Sequence, residues 1–157
     1  MAQILDADSA PPSLELAPGY RAYAFKPASM DETTNTRLKA ALISVSTRAF
    51  GADMEPYWDG RDAAGFFDRV SLFSALTDSD GTMVGWSSCQ HLSVEGIAVL
   101  YLDSTGVLPE LQSTGLIRAL MTQLLPSVLG ELHSEPRFIC ARTESPVVYS
   151  LFITASS

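Results

Sequence analysis

Apolar positions along the chain switch between two periods, and the switches mark the elements. Tyr20-Arg21-Ala22-Tyr23-Ala24-Phe25 alternates large and small side chains and predicts a first strand, stopped by Pro27. Leu38, Leu42, Val45 and Ala49 then fall at helical spacing. Ser29 with Glu32 three residues on predicts the start of that helix, and Gly51 its end. The segment 52–60 is rich in turn formers and reads as a loop carrying Met54, Tyr57 and Trp58, before a short helix around Ala63–Arg69. Leu72–Leu76 and Met83–Leu92, separated by Asp78-Ser79-Asp80-Gly81, predict a hairpin. A fourth strand runs from Ile97 to about Ser104, and Gly106 at its exit predicts a bulge or a close approach of another backbone.

Leu116, Ile117, Leu120, Met121, Leu124 and Leu125 recur at helical spacing. Arg137–Arg142 reads as a fifth strand, and Ser145 as the N-cap of a last helix with Pro146 at its first position. Residues Met1–Gly19 hold Pro11, Pro12 and Pro18 without periodicity and are expected to be a poorly ordered lead-in, leaving one domain over 20–157. The fold class is α/β, a central mixed sheet flanked by helices. The fourth and fifth strands are expected to be parallel, because a helix connects them.

The stretch Val107–Met121 is a strand exit, a short polar loop and a helix start. The first N–H groups of such a helix have no internal partner, and its dipole favours negative charge there. That arrangement suits a phosphate. Gly115 lets a ligand approach the backbone, while Gln112, Ser113 and Thr114 add polar groups of modest size.

Val107-x-Pro109-x-x-Gln112-x-x-Gly115-x-Ile117 resembles the acetyl-CoA pyrophosphate loop of the GCN5-related N-acetyltransferases (GNAT), which reads Gln or Arg, two residues, Gly, one residue, Gly or Ala. Gln112 and Gly115 match; Ile117 stands where the small residue belongs. The resemblance implies a GNAT-like sheet and acetyl-CoA as cofactor. Its pyrophosphate would lie on the amides from Ser113 through Thr114, Gly115 and Leu116 to Ile117. Its pantetheine would bond the backbone near Val107 and Leu108, beside a bulge that parts two strands. Ser145 stands where the family often has an asparagine, and Phe152 where it often has a tyrosine that protonates the departing thiolate. Tyr149, about one turn earlier, is the acid candidate. The family also continues for two strands beyond the fifth, so those C-terminal strands are expected to be missing. The open edge would then take a second copy in a homodimer, the Met1–Gly19 segment, or further residues.

Charge narrows the partners. Eighteen acids against ten bases give a net charge of −8 over 157 residues. Nucleic acid and anionic membrane surfaces are poor partners for such a chain. A cationic acceptor suits it, although acidity also serves solubility. Apolar residues at 46% and charged residues at 18% describe a globular chain. Neither cysteine has metal-like spacing, no metal is expected, and the start has no basic leader, which points to the cytoplasm. Asp103, at the end of the fourth strand, is a candidate base, with a turn-capping carboxylate as the plainer role. His91 is a second candidate base, nearer in pKa to the task. It alternates with Cys89 on one strand face, which raises a nucleophile couple as a further option. The function expected is acetyl-CoA-dependent transfer of an acyl group to an amine of a small molecule or peptide. The alternatives are a catalytically degenerate domain that binds CoA or a protein partner, and another chemistry on the same scaffold.

Overall fold

Asp31, rather than Ser29, opens the first helix. The Asp31 carboxylate accepts the Thr34 N–H at 2.8 Å, while the Ser29 hydroxyl donates to the Lys26 carbonyl and closes a 3-10 turn over Pro27–Ser29. A charged acceptor makes the stronger cap. The computed structural model describes residues 13–122 and 138–142. Helix α1 spans Glu32–Phe50 and ends on Gly51 in the left-handed region. Leu38, Leu42 and Val45 form its buried stripe, at the spacing expected.

The stretch read as a loop is mostly helix. Helix α2 covers Glu55–Ala63, with Pro56 near its start, where a missing N–H costs nothing. Helix α3, Phe66–Arg69, follows after Gly65. Trp58 of α2 is fully buried, and its Nε1 donates to Ser46 Oγ of α1 at 2.8 Å.

Among the described residues six strands lie in the order β1-β2-β3-β4-β5-β6: Ser13–Ala17, Tyr20–Phe25, Leu72–Thr77, Met83–Val94, Ile97–Val107 and Phe138–Ala141. Strand β1 pairs antiparallel with β2, so ordered sheet begins inside the segment expected to be a lead-in. Its three leading residues are exposed, Leu14 among them, which leaves no apolar period to read. Residues 1–12 lie outside the described residues. Asp78 fixes the β3–β4 turn by accepting the Asp80 and Thr82 N–H groups at 3.0 and 2.9 Å. The β4–β5 turn uses Glu95 and Gly96, both at positive φ, the conformation that matches strand twist in a two-residue hairpin.

Helices α1–α3 bury Leu38, Leu42, Val45, Trp58, Phe66 and Phe67 against Phe25, Phe73, Ala75 and Trp86 of the sheet. A second cluster joins Leu72, Cys89, Leu100 and Leu102, with Met121 packed against it. Met121 belongs to α4, whose described residues are 116–122. The two periods read from the sequence thus build two layers on one sheet. Strand β6 is parallel to β5, as the connecting helix required, with Val99 opposite Phe138 and Leu102 opposite Ala141. The last expected helix, with Ser145, Tyr149 and Phe152, lies outside the described residues.

Two features of β5 set the geometry of its C-terminal half. Ser88 pairs with Ser104 but Cys89 pairs with Leu102, so Asp103 is the extra residue of a bulge. Gly106 sits in regular register opposite Trp86, and a Cβ there would stand 2.3 Å from the indole. The expected bulge therefore falls three residues earlier, and Gly106 accommodates a side chain instead of a backbone.

Candidate functional site

Beyond Leu102, β5 has no pairing to β6 among the described residues. Its other edge stays paired with β4 as far as Val107. The N–H of Leu108 donates to Val84 O at 2.9 Å, and its carbonyl accepts the Leu111 N–H at 2.9 Å. Leu108 is therefore bonded on the β4 side and into the following turn, unlike the free strand-like backbone expected of it. In an antiparallel ladder successive residues point their backbone groups to opposite sides. Thr105 and Val107 accordingly present N–H and C=O to the other edge, a notch beside β5 that has no partner strand among the described residues. Val107 stays a candidate contact, and Thr105 joins it.

A 3-10 turn over Pro109–Leu111 leads into the polar loop. Gln112 N–H donates to Pro109 O at 3.1 Å and Thr114 N–H to Leu111 O at 3.4 Å, so two of the loop amides have partners. Ser113 is held at φ 67 and Gly115 at φ 84. A serine in the left-handed region is uncommon and redirects its own N–H. The first bond of α4 runs from Ala119 N–H to Gly115 O at 2.9 Å. The amides of Leu116, Ile117 and Arg118 precede it and have no place in the helix ladder. Gln112, Ser113, Thr114 and Gly115 are exposed or nearly so, and a Cβ on Gly115 would meet nothing within 4 Å. The loop thus offers open amides at a helix start, an arrangement that fits a pyrophosphate. Ile117, half-buried, adds a branched side chain at its edge. Arg48 near the end of α1 reaches Glu110 at 2.6 Å and ties this turn to the helical layer.

At the other end of the notch stands Asp103. Its side chain is 3% exposed, and its Oδ2 accepts from Arg61 Nη2 at 2.6 Å and from Gln90 Nε2 at 2.5 Å. It is a paired, buried carboxylate and caps no turn. Arg61 comes from α2, and its guanidinium lies 4.3 Å from the Phe66 ring centroid and 5.8 Å from that of Tyr57. The sequence reading missed Arg61 and Gln90, which lie 42 and 13 positions from Asp103. The one available signal was a lone arginine among the acids of 53–62.

His91 does not join this corner. Gln90 reaches Asp103, and side chains alternate along a strand, so His91 points to the opposite face. Burial and the Lys26 charge hold the imidazole below its usual range. Cys89 shares that face but is buried, and burial pushes its thiol up to about 11. A protonated, covered thiol is no nucleophile. Among the described residues no three His, Cys, Asp or Glu side chains gather as for a metal, and no helix is long and apolar enough to cross a membrane.

No protein-family model matches the chain, and no curated protein matches its sequence. Solved structures do match its fold. One is a GNAT family N-acetyltransferase, YhbS from Escherichia coli, in complex with CoA, at 18% identity and TM-score 0.55 over 73% of this chain and 61% of that one. This chain therefore spans less than two thirds of that protein's length. An aminoglycoside acetyltransferase from an uncultured soil metagenomic sample aligns at 16% identity and TM-score 0.60, over 87% of this chain and 88% of that one. A ribosomal-protein alanine N-acetyltransferase from Escherichia coli aligns at 18% identity and TM-score 0.57, over 85% and 75%. The parallel β5–β6 pair, the loop at the head of α4 and these likenesses agree: the fold of this chain is that of the GNAT N-acetyltransferases.

Proposed function

We propose that this protein is an acetyl-CoA-dependent N-acyltransferase that acts in the cytoplasm on the amine of a small molecule or peptide. The observation that carries the reading is the continuity of the notch. Between Leu102 and Val107, about 17 Å of strand, the edge of β5 away from β4 has no partner among the described residues, and it leads directly into the open amides at the start of α4. A linear ligand with a phosphate end and an amide-bearing arm finds donors and acceptors along that whole path. When bound, acetyl-CoA supplies an activated acetyl thioester. The amides of Ser113, Gly115, Leu116 and Ile117 hold the phosphates, and the backbones of Val107 and Thr105 hold the arm. Asp103, at the far end, receives the amine. Bringing the two reactants together in this way is the main source of acceleration in such a transfer. The acceptor class is supported by two solved structures of similar fold, an aminoglycoside acetyltransferase and a ribosomal-protein alanine N-acetyltransferase. A net charge of −8 favours a cationic acceptor. Tyr149 and Ser145 lie outside the described residues, and their parts as acid and cofactor contact rest on the sequence resemblance alone.

The test has two readouts. CoA at a hundred times its Kd should stabilise the fold by about 2.7 kcal/mol, seen as a rise in Tm. Thiol release from acetyl-CoA, followed over a panel of amines, should then identify an acceptor. A Tm indifferent to millimolar CoA sinks the reading. A second reading, CoA binding without transfer, is favoured by Ile117 at the small-residue position and by the occupied Oδ2 of Asp103. A retained Tm rise with no thiol release from any amine would establish it.

A further inference from the structure

Asp103, Arg61 and Gln90 bring together β5, α2 and β4 in one buried corner. As a device for stability this corner is poor. Desolvating a carboxylate and a guanidinium offsets most of their attraction, and apolar residues of like volume generally serve better. The Arg61 Nε is also buried with no hydrogen-bond partner, a donor withdrawn from water without compensation. What the corner does provide is direction. Arg61 Nη2 and Gln90 Nε2 converge on the same oxygen, Oδ2, and neither of these bonds reaches Oδ1. Arg61 is itself fixed by the Phe66 ring beneath it. The carboxylate they grip belongs to the bulge residue, the one position of β5 with no cross-strand partner. It follows directly on Leu102, the last residue of β5 paired with β6 among the described residues.

We infer that Arg61 and Gln90 are positioning residues that lock Asp103 through Oδ2, so that Oδ1 is aimed into the notch to hold the ammonium group of the acceptor. The inference rests on the acyltransferase reading and adds to it the two residues that hold the acceptor carboxylate in place. It makes α2 part of that subsite, with the half-exposed Tyr57 one helical turn before Arg61 on the same face. An acceptor with a primary amine on a body able to lie against an aromatic ring fits the corner.

Steady-state kinetics of Arg61→Met, Arg61→Lys and Gln90→Leu in the full chain test it, with the amine that gives the fastest thiol release in the wild type. A carboxylate displaced by about 1 Å costs on the order of 10²-fold, so kcat/KM for the amine should fall by that factor in Arg61→Met. The KM for acetyl-CoA and the CoA-induced rise in Tm should not move, because the cofactor loop is at the other end of the notch. Arg61→Lys should recover part of the loss, keeping the charge without the planar fork. An Arg61→Met protein as active per folded molecule as the wild type makes the pair merely structural and overturns the inference. If that variant does not fold, Gln90→Leu removes the second donor while leaving the ion pair, and the same comparison decides. A wild type that responds to CoA in Tm yet releases no thiol with any amine overturns the acyltransferase reading instead, and the inference falls with it.

Discussion

Asp103 and Gly115 stand near the two ends of one strand edge that is unpaired among the described residues, and their surroundings are opposites. Asp103 is buried, with two donors within 2.6 Å of one oxygen and an aromatic ring stacked on its cationic partner. Gly115 is exposed and begins a helix whose first amides have no partner in the helix ladder. The protein completes hydrogen bonds to Asp103 Oδ2 from its own side chains, and leaves the first amides of α4 outside the helix ladder, as the proposed cofactor site requires. The cost is also distributed differently. At the closed corner it is desolvation, present in every state of the folded protein; at the open loop it is backbone strain at Ser113.

The contrast is tested most severely by Asp103→Ala. Removing the carboxylate leaves the Arg61 charge largely buried and unpaired, which should cost about 3–5 kcal/mol in urea denaturation. A loss below about 1 kcal/mol would mean that Arg61 escapes to water and that the corner is open after all. Next comes pH. Cys89, beside the bulge, has its thiol raised from 9.0 to about 11 by burial. The native state then keeps a proton that the unfolded chain loses, so stability should fall as pH rises from 9 to 11, by about 3 kcal/mol in all. Unfolding curves at pH 8 to 11 for the wild type and Cys89→Ala should diverge in slope; parallel curves would show that the thiol is hydrated. Gly115→Trp sharpens the other side. A Cβ at Gly115 meets no atom, so the apo protein should lose only the left-handed backbone penalty, about 1–2 kcal/mol, at φ 84. Its Tm response to CoA should vanish; a preserved response would take the loop out of the site. The smallest effect belongs to Glu110→Gln, which breaks an ion pair exposed on both sides, Arg48 and Glu110 at 46% and 54%. It should cost less than about 1 kcal/mol and nothing measurable in high salt.

The open end was legible in the sequence and the closed end was not, for a physical reason. Gln112 to Ile117 is a continuous stretch whose proposed role is carried by backbone, so local sequence rules bear on it directly. The start of α4 after Gly115 followed from local rules, as did the parallel β5–β6 pair. Ser113 at φ 67 did not, since serine carries no signal for that conformation. The corner at Asp103 depends on three elements meeting, so no local pattern announces it. It was hidden further because α2 was read as a loop: Pro56 and Gly60 look like turn residues until Trp58 is seen buried against α1. Asp103 itself was singled out as a residue of interest, but its partners were invisible.

The order of the sheet also has a kinetic meaning. Strands β3, β4 and β5 form from successive hairpins, whereas β6 must close a segment of roughly forty residues to set Phe138 beside Val99. Non-local parallel pairing is slow, because chain entropy is lost before any contact is gained. The β5–β6 junction should therefore assemble after the meander and come apart before it. A molecule lying in the notch would bridge the early strand to the late one. It would act as a clasp on the last seam to close, lengthening the life of the folded state while barely changing the speed at which the chain reaches it.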